Sequence, residues 1–287
     1  MPELPDLLYI RSYLNVNVKG RKITGVTVKQ PVVIRTTLNE PFDRSLAGSQ
    51  IMEISIRGPF FQIFLSSNRE LIINLMLAGH FQHQRPGERP EGHLCVTIEL
   101  DDTSRLNLSD NTLMAKLYCT ARGQYEKIPR FREQGLDVLS NKFTLDAFLT
   151  VAAQHRRKQV RVFLNDQTIL SAIGNAYADE ILFEAGIHPK TLIAQLDKSQ
   201  MGHLHTSIRR TLEWGTLQVE KAAQPIQVKV RDHMRVRNRK GQPCPRCGAT
   251  IRREGVRGHD VFFCPRCQPA TRSLFLDWKK LEDQNNP

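Results

Sequence analysis

No stretch of this chain stays apolar for the roughly 18 positions a membrane helix needs. The most apolar segment, Leu71 to Gly79, is short and broken by Asn74. The start, Met-Pro-Glu-Leu-Pro-Asp, lacks the cationic and apolar regions of a secretory leader, so the sequence reads as cytoplasmic with no membrane partner. Cysteine is scarce: six in 287 residues are too few for a disulfide scaffold. Acids are outnumbered, 29 against 41 Lys and Arg, and the resulting +12 suits a polyanionic partner without naming one. The 40% hydrophobic and 24% charged fractions are ordinary, which excludes a wholly disordered chain and allows a sizeable core.

What is present changes texture along the chain. Leu4, Leu7, Leu8 and Leu14 recur near helical spacing and predict a helix from about Pro5 to Val18, ended near Gly20. Short strands follow: Ile51, Ile54 and Ile56, then Phe60 to Leu65, then Leu94, Val96, Ile98 and Leu100 returning through Leu106 and Leu108 as a hairpin. Many short strands separated by turn residues suggest a two-sheet sandwich. From Thr144 the period becomes helical, interrupted at Ile173-Gly174-Asn175, stopped at Gly186-Ile187-His188-Pro189, and resumed from about Ser199 to Ala222. The expected organisation is α+β: a sandwich with an amino-terminal helix over 1–128, a linker over 129–143, a helical domain over 144–225, a finger over 226–273 and a tail over 274–287. The finger stretch holds twelve Lys and Arg against three acids, so the excess charge is local.

The strongest local signal is Cys244-Pro245-Arg246-Cys247 followed by Cys264-Pro265-Arg266-Cys267. Two Cys-x-x-Cys pairs at this spacing aim four thiolates at one ion, as in a zinc ribbon. Four sulfurs close the tetrahedron and leave no position for an activated water, so the one zinc expected is structural. Cys95 and Cys119 are left as buried thiols. At the other end, removal of Met1 before the small Pro2 would expose a secondary amine. An α-amino group titrates near ~8, unlike lysine, and can attack an aldehyde-level carbon, with Glu3 beside it to move protons.

Met-Pro-Glu-Leu-Pro at the start, Ile173-Gly174-Asn175-Ala176-Tyr177-Ala178-Asp179-Glu180 with Ala185-Gly186-Ile187-His188-Pro189, and the four-cysteine ribbon together resemble the formamidopyrimidine-DNA glycosylase and endonuclease VIII family of base-excision repair enzymes. The likeness runs in order through nearly the whole chain. It implies a β-sandwich, a helical domain with a helix-two-turns-helix element and a zinc-ribbon finger. The implied partner is double-stranded DNA with a damaged base or abasic site, met by a monomer, nucleoid-associated if the source is bacterial. It also implies that Pro2 attacks C1′ of a flipped nucleotide while Glu3 protonates the sugar ring oxygen, and that Asn175 grips backbone phosphate.

Some positions depart from the family pattern. The segment carrying a phosphate-binding lysine reads Arg57-Gly58-Pro59, which leaves Arg57 as its substitute; the finger arginine is His259, with Arg257 as a stand-in. The loops that fill the gap left by flipping read Leu77-Ala78-Gly79 and Asp110-Asn111-Thr112-Leu113-Met114-Ala115, with Leu77 and Met114 as apolar wedges and no arginine to pair with an opposite cytosine. Asp6 stands where glutamate is usual. Two readings follow: an active bifunctional glycosylase and lyase with altered lesion or opposite-base preference, and a DNA-binding relative with weak or no catalysis.

Overall fold

The computed structural model describes residues 1–270, so the expected tail and the last three residues of the expected finger lie outside the described part. Their contacts divide it into two units. The first holds Met1–Lys142, Asp166–Gly174 and Leu212–His233, and the second holds Phe143–Asn165, Asn175–Thr211 and the described residues from Met234 on. These units do not follow the linear segments expected from sequence, because the chain returns twice to the first unit after leaving it.

The first unit opens with α1 (Leu4–Asn17), whose buried face is Leu4, Leu7, Ile10 and Leu14. Pro5 suits the first turn, where its missing N–H costs nothing. The strands are β1 (Ile23–Val28), β2 (Ile34–Thr36), β3 (Ile51–Arg57), β4 (Phe60–Leu65), β5 (Arg69–Asn74), β6 (His80–Gln84), β7 (Leu94–Leu100), β8 (Arg105–Ser109) and β9 (Lys116–Ala121), with the short α2 (Phe42–Leu46) before β3. They form one sheet in the order β1-β7-β8-β6 and another in the order β2-β9-β5-β4-β3. All pairs are antiparallel except β2 with β9. Phe61 of one sheet meets Phe81 of the other edge to face, ring centroids 5.2 Å apart, so the two inner faces share a core. Cys95 and Cys119 are buried thiols within it.

The stretch expected to be a linker is instead packed. Ile128 and Phe131 join Phe60, Ile72 and Tyr118 in a buried cluster, and Leu136 bridges Leu170. Apolar residues without a sustained period left no sequence signal for this docking.

In the second unit α3 (Leu145–Gln154) is capped by the Thr144 hydroxyl, which accepts the Ala147 N–H at 3.2 Å. α4 (Val160–Asn165) and α5 (Asn175–Ala185) follow, and α6 (Lys198–Ala222) is the helix within which the division between units falls. The finger is the hairpin β10 (Arg252–Val256) and β11 (His259–Phe263), paired from Arg252↔Phe263 to Val256↔His259. Its small core consists of Phe183, Val236, Ile251 and Phe262 with Cys244 and Cys264. No helix among the described residues is long and apolar enough to cross a membrane.

Candidate active site and zinc finger

The amino terminus is built by the start of α1. Asp6 accepts the Glu3 N–H at 2.9 Å, and the Leu4 N–H donates to Ala172 O at 3.0 Å, so two of the helix's orphan donors are satisfied. Asp6 is itself gripped by Arg231 through two bonds of 2.8 and 2.6 Å. The Asp6 departure thus reads structurally: a shorter carboxylate caps the helix and takes a bidentate guanidinium. Glu3 is 6% exposed, and a Cβ added at Gly174 would stand 2.5 Å from its carboxyl carbon. Glycine at 174 is therefore what lets the acid lie against the turn before α5, a requirement beyond interrupting a helix. Pro2, expected to be exposed, is buried with Met1 in place. Burial, with the charges of Lys229 and Arg231 and against that of Glu3, lowers the Met1 amine to about 6.

Leu77 belongs to the same neighbourhood. Its carbonyl accepts the Met1 amine at 3.0 Å and Lys229 Nζ at 3.1 Å, while its side chain is 59% exposed. The turn is closed by the Gly79 N–H on Leu75 O at 3.0 Å, and a Cβ at Gly79 would come within 2.4 Å of that oxygen and 3.2 Å of the Ala115 methyl. The two loops carrying the expected wedges therefore touch. Asp110 organises the second. Its carboxylate accepts N–H groups of Thr112 at 2.8 Å and Ala115 at 2.7 Å and the Thr112 hydroxyl at 2.7 Å. Burial alone would raise Asp110; these donors hold it below the usual carboxylate range. Leu113 at φ +55° then turns the chain so that Met114 is 38% exposed.

Among the described residues no contact brings Arg57 to this centre. Its Nε donates to Phe131 O at 2.9 Å, and its guanidinium lies 5.5 Å over the Phe131 ring. Arg57↔Phe60 is the last pair of the β3–β4 hairpin, with Gly58 at φ +54° and the buried Pro59 forming the two-residue turn.

In the second unit Asn175 opens α5. Its Oδ1 accepts Asn165 Nδ2 at 2.7 Å and Arg161 Nη2 at 3.1 Å, which leaves its own amide N–H groups turned to the other side. Arg161, 2% exposed, also binds Asp179 at 3.0 Å and Asp260 O at 3.3 Å. Asp179 further accepts Arg237 at 2.8 Å and the Phe262 N–H at 3.2 Å. Glu180 accepts the N–H groups of Arg235, Val236 and Arg237 at 2.8 to 3.0 Å. Adjacent acids on α5 thus hold both the hairpin and the segment entering it. Arg161, Asp179, Glu180, Lys229 and Arg231 were not singled out as site residues from sequence. An Asp-Glu pair inside an otherwise apolar helix was the one available signal.

The four cysteine sulfurs lie within 4.8 Å of one another, with Cys244–Cys267 at 3.8 Å and Cys247–Cys264 at 3.5 Å. A tetrahedron with Zn–S bonds of about 2.3 Å has edges of about 3.8 Å. Cys244, Cys247, Cys264 and Cys267 therefore fit one structural Zn2+, which would tie the ends of β10 and β11 to the preceding knuckle. Arg257 at φ +47° and Gly258 at φ +78° form the two-residue tip, and Arg257 and His259 are both exposed there.

Three family models match in order: the formamidopyrimidine-DNA glycosylase N-terminal domain over residues 1–116, the formamidopyrimidine-DNA glycosylase H2TH domain over 134–227, and the zinc finger found in FPG and IleRS over 241–270. Formamidopyrimidine-DNA glycosylase of Pelotomaculum thermopropionicum is 30% identical over 93% of this chain and 99% of its own, and that of Moorella thermoacetica is 32% identical over 88% and 94%. Among solved structures, Lactococcus lactis Fpg in complex with abasic-site DNA superposes with a TM-score of 0.84 at 25% identity, covering 93% of this chain and all of that one. Thermus thermophilus MutM (Fpg) gives 0.82 at 27%, covering 94% of this chain. The fold and the finger define a zinc-containing DNA-repair glycosylase. The chain belongs to the formamidopyrimidine-DNA glycosylase family, whose members are DNA N-glycosylases and AP lyases.

Proposed function

We propose that this protein removes damaged, oxidised bases from double-stranded DNA through an iminium formed on Pro2 after Met1 is removed. The reading is carried by the placement of Pro2 and Glu3 at the head of a capped helix, with Glu3 lodged against Gly174. It is supported by relatives named for formamidopyrimidine-DNA glycosylase and by solved neighbours holding DNA with an abasic site, Fapy-dG or an oxidised pyrimidine. The Pro2 nitrogen bonds C1′ as the glycosidic bond breaks and the base leaves with the bonding electrons and a proton. Glu3 protonates the ring oxygen as C1′–O4′ opens, which generates the iminium. That cation acidifies C2′–H, whose loss expels the 3′ phosphate; a second elimination can release the 5′ side. In this reading Asn175 presents its amide N–H groups to a phosphate, and Leu77 and Met114 fill the stack. Arg257, His259 and Arg57 supply further contacts to DNA.

The test is borohydride reduction on abasic and oxidised-base duplexes, with loss of Met1 first verified by mass spectrometry. A covalent adduct is expected from the wild type and none from Pro2→Gly. Glu3→Gln is expected to lower base release by roughly 10²- to 10⁴-fold. Tight binding without an adduct would favour the non-catalytic relative. The 110–115 loop offers Met114 and no arginine, so a lesion is expected to be excised opposite A and opposite C at rates within about tenfold, the discrimination one bidentate base contact supplies.

A further inference from the structure

Two amine donors share one neutral acceptor beside the proposed nucleophile. The Met1 amine and Lys229 Nζ reach Leu77 O at 3.0 and 3.1 Å. Pro2 and Lys229 line the same small recess, together with Asp6, Tyr9 and His80. The charged groups acting on the Met1 amine are Lys229 and Arg231 from the segment after α6 and Glu3 at the start of α1, while Asp6, Tyr9 and His80 line the recess with Pro2. Their charges do not act alike. Arg231 is paired with Asp6 at 2.6 Å, so much of its field is cancelled locally. Among the described residues Lys229 makes no ion pair, and its partner is a carbonyl oxygen. Its positive charge is therefore not cancelled by a carboxylate, and protonating the Met1 amine would place two cations on one oxygen.

We propose that Lys229, held at the Leu77 carbonyl beside the recess that Pro2 also lines, is a positioning residue whose ammonium biases the Pro2 amine toward its uncharged form once Met1 is removed. The proposal rests on the reading that Pro2 is the nucleophile. Burial and then Lys229 are the leading causes that lower the Met1 amine to about 6, and Pro2, the next residue, lines one recess with Lys229. The same contact ties Lys229 to the turn that carries Leu77.

Lys229 is exposed, so its replacement leaves the core untouched. The experiment compares the Met1-free wild type with Lys229→Met and Lys229→Arg. The terminal amine is first titrated without DNA, by NMR of ¹⁵N-labelled proline. Its midpoint is expected to rise by roughly half to one pH unit in Lys229→Met and to stay near wild type in Lys229→Arg. Borohydride trapping on abasic duplex is then measured against pH. The acid limb should move with the amine, giving a roughly two- to fivefold loss near pH ~6 that vanishes by about pH 9. An unchanged midpoint in Lys229→Met, or a loss equal at every pH, overturns the proposal. Should the wild type form no adduct while its amine still titrates low and responds to Lys229→Met, the iminium reading fails and only the hold of Lys229 on the terminal amine stands.

Discussion

Single side chains decide whether the proposed apolar wedges are presented. Asp110 is fully buried and closes the loop through Thr112 and Ala115, so Asp110→Ala would leave those donors unpaired. A loss of about 1–3 kcal/mol is expected, visible as a lowered Tm together with weaker binding to flipped-base duplex. Because the folded Asp110 titrates below its unfolded value, its contribution is present above the unfolded pKa and is lost as pH falls through the folded one. Acid melts of wild type and Asp110→Asn should therefore converge at low pH; curves that stay parallel would remove the loop role. At this scale the sequence was partly legible. The four cysteines announce themselves by residue type and spacing, whereas Pro2 and Glu3 stand out only through the resemblance of the whole sequence to the family. Lys229 and Arg231 looked like two of many surface cations, since nothing in a linear pattern shows that one meets Leu77 and the other Asp6 across more than 150 intervening residues.

At the scale of elements, periodicity located α1, the β7–β8 hairpin and α6 within a few residues because each buries one regular face. It missed the docking of 129–142, whose contacts are tertiary and aperiodic. The finger hairpin shows why a motif can outrun periodicity. With two short strands and a handful of apolar residues it has too little core to fold alone. Two anchors hold it: the ion at the four cysteines, and Asp179 with Glu180 on α5. Chelation should release the hairpin while α5 keeps its amide protection, read by hydrogen exchange. Asp179→Ala, which strips two arginines of their carboxylate, should cost about 3–5 kcal/mol even with zinc bound. Equal protection of the hairpin with and without chelator would remove the metal from this account.

Over the whole molecule the +12 charge overstates what is free to meet DNA. The excess charge lies in 226–273, but there Arg231 pairs with Asp6, Arg235 with Glu180 and Glu184, Arg237 with Asp179 and Arg246 with Glu184. Arg253 meets Asp260 at 3.4 Å with both side chains about half exposed, a pair that water screens and that a phosphate can displace. Internal arginines hold the fold, while Arg252 and Arg257 make no ion pair among the described residues and stand on an exposed hairpin. The two groups should separate in a salt titration of duplex binding. Neutralising Arg257 is expected to reduce the slope of log K against log salt by about 1 with stability unchanged, each phosphate contact contributing one released counterion. Arg237→Ala should do the reverse, lowering Tm and leaving the slope of the folded fraction where it was, because its charge is already spent on Asp179. If both variants lowered the slope equally, the paired arginines would have to exchange their carboxylates for phosphate on binding, and the division between structural and DNA-facing cations would fail.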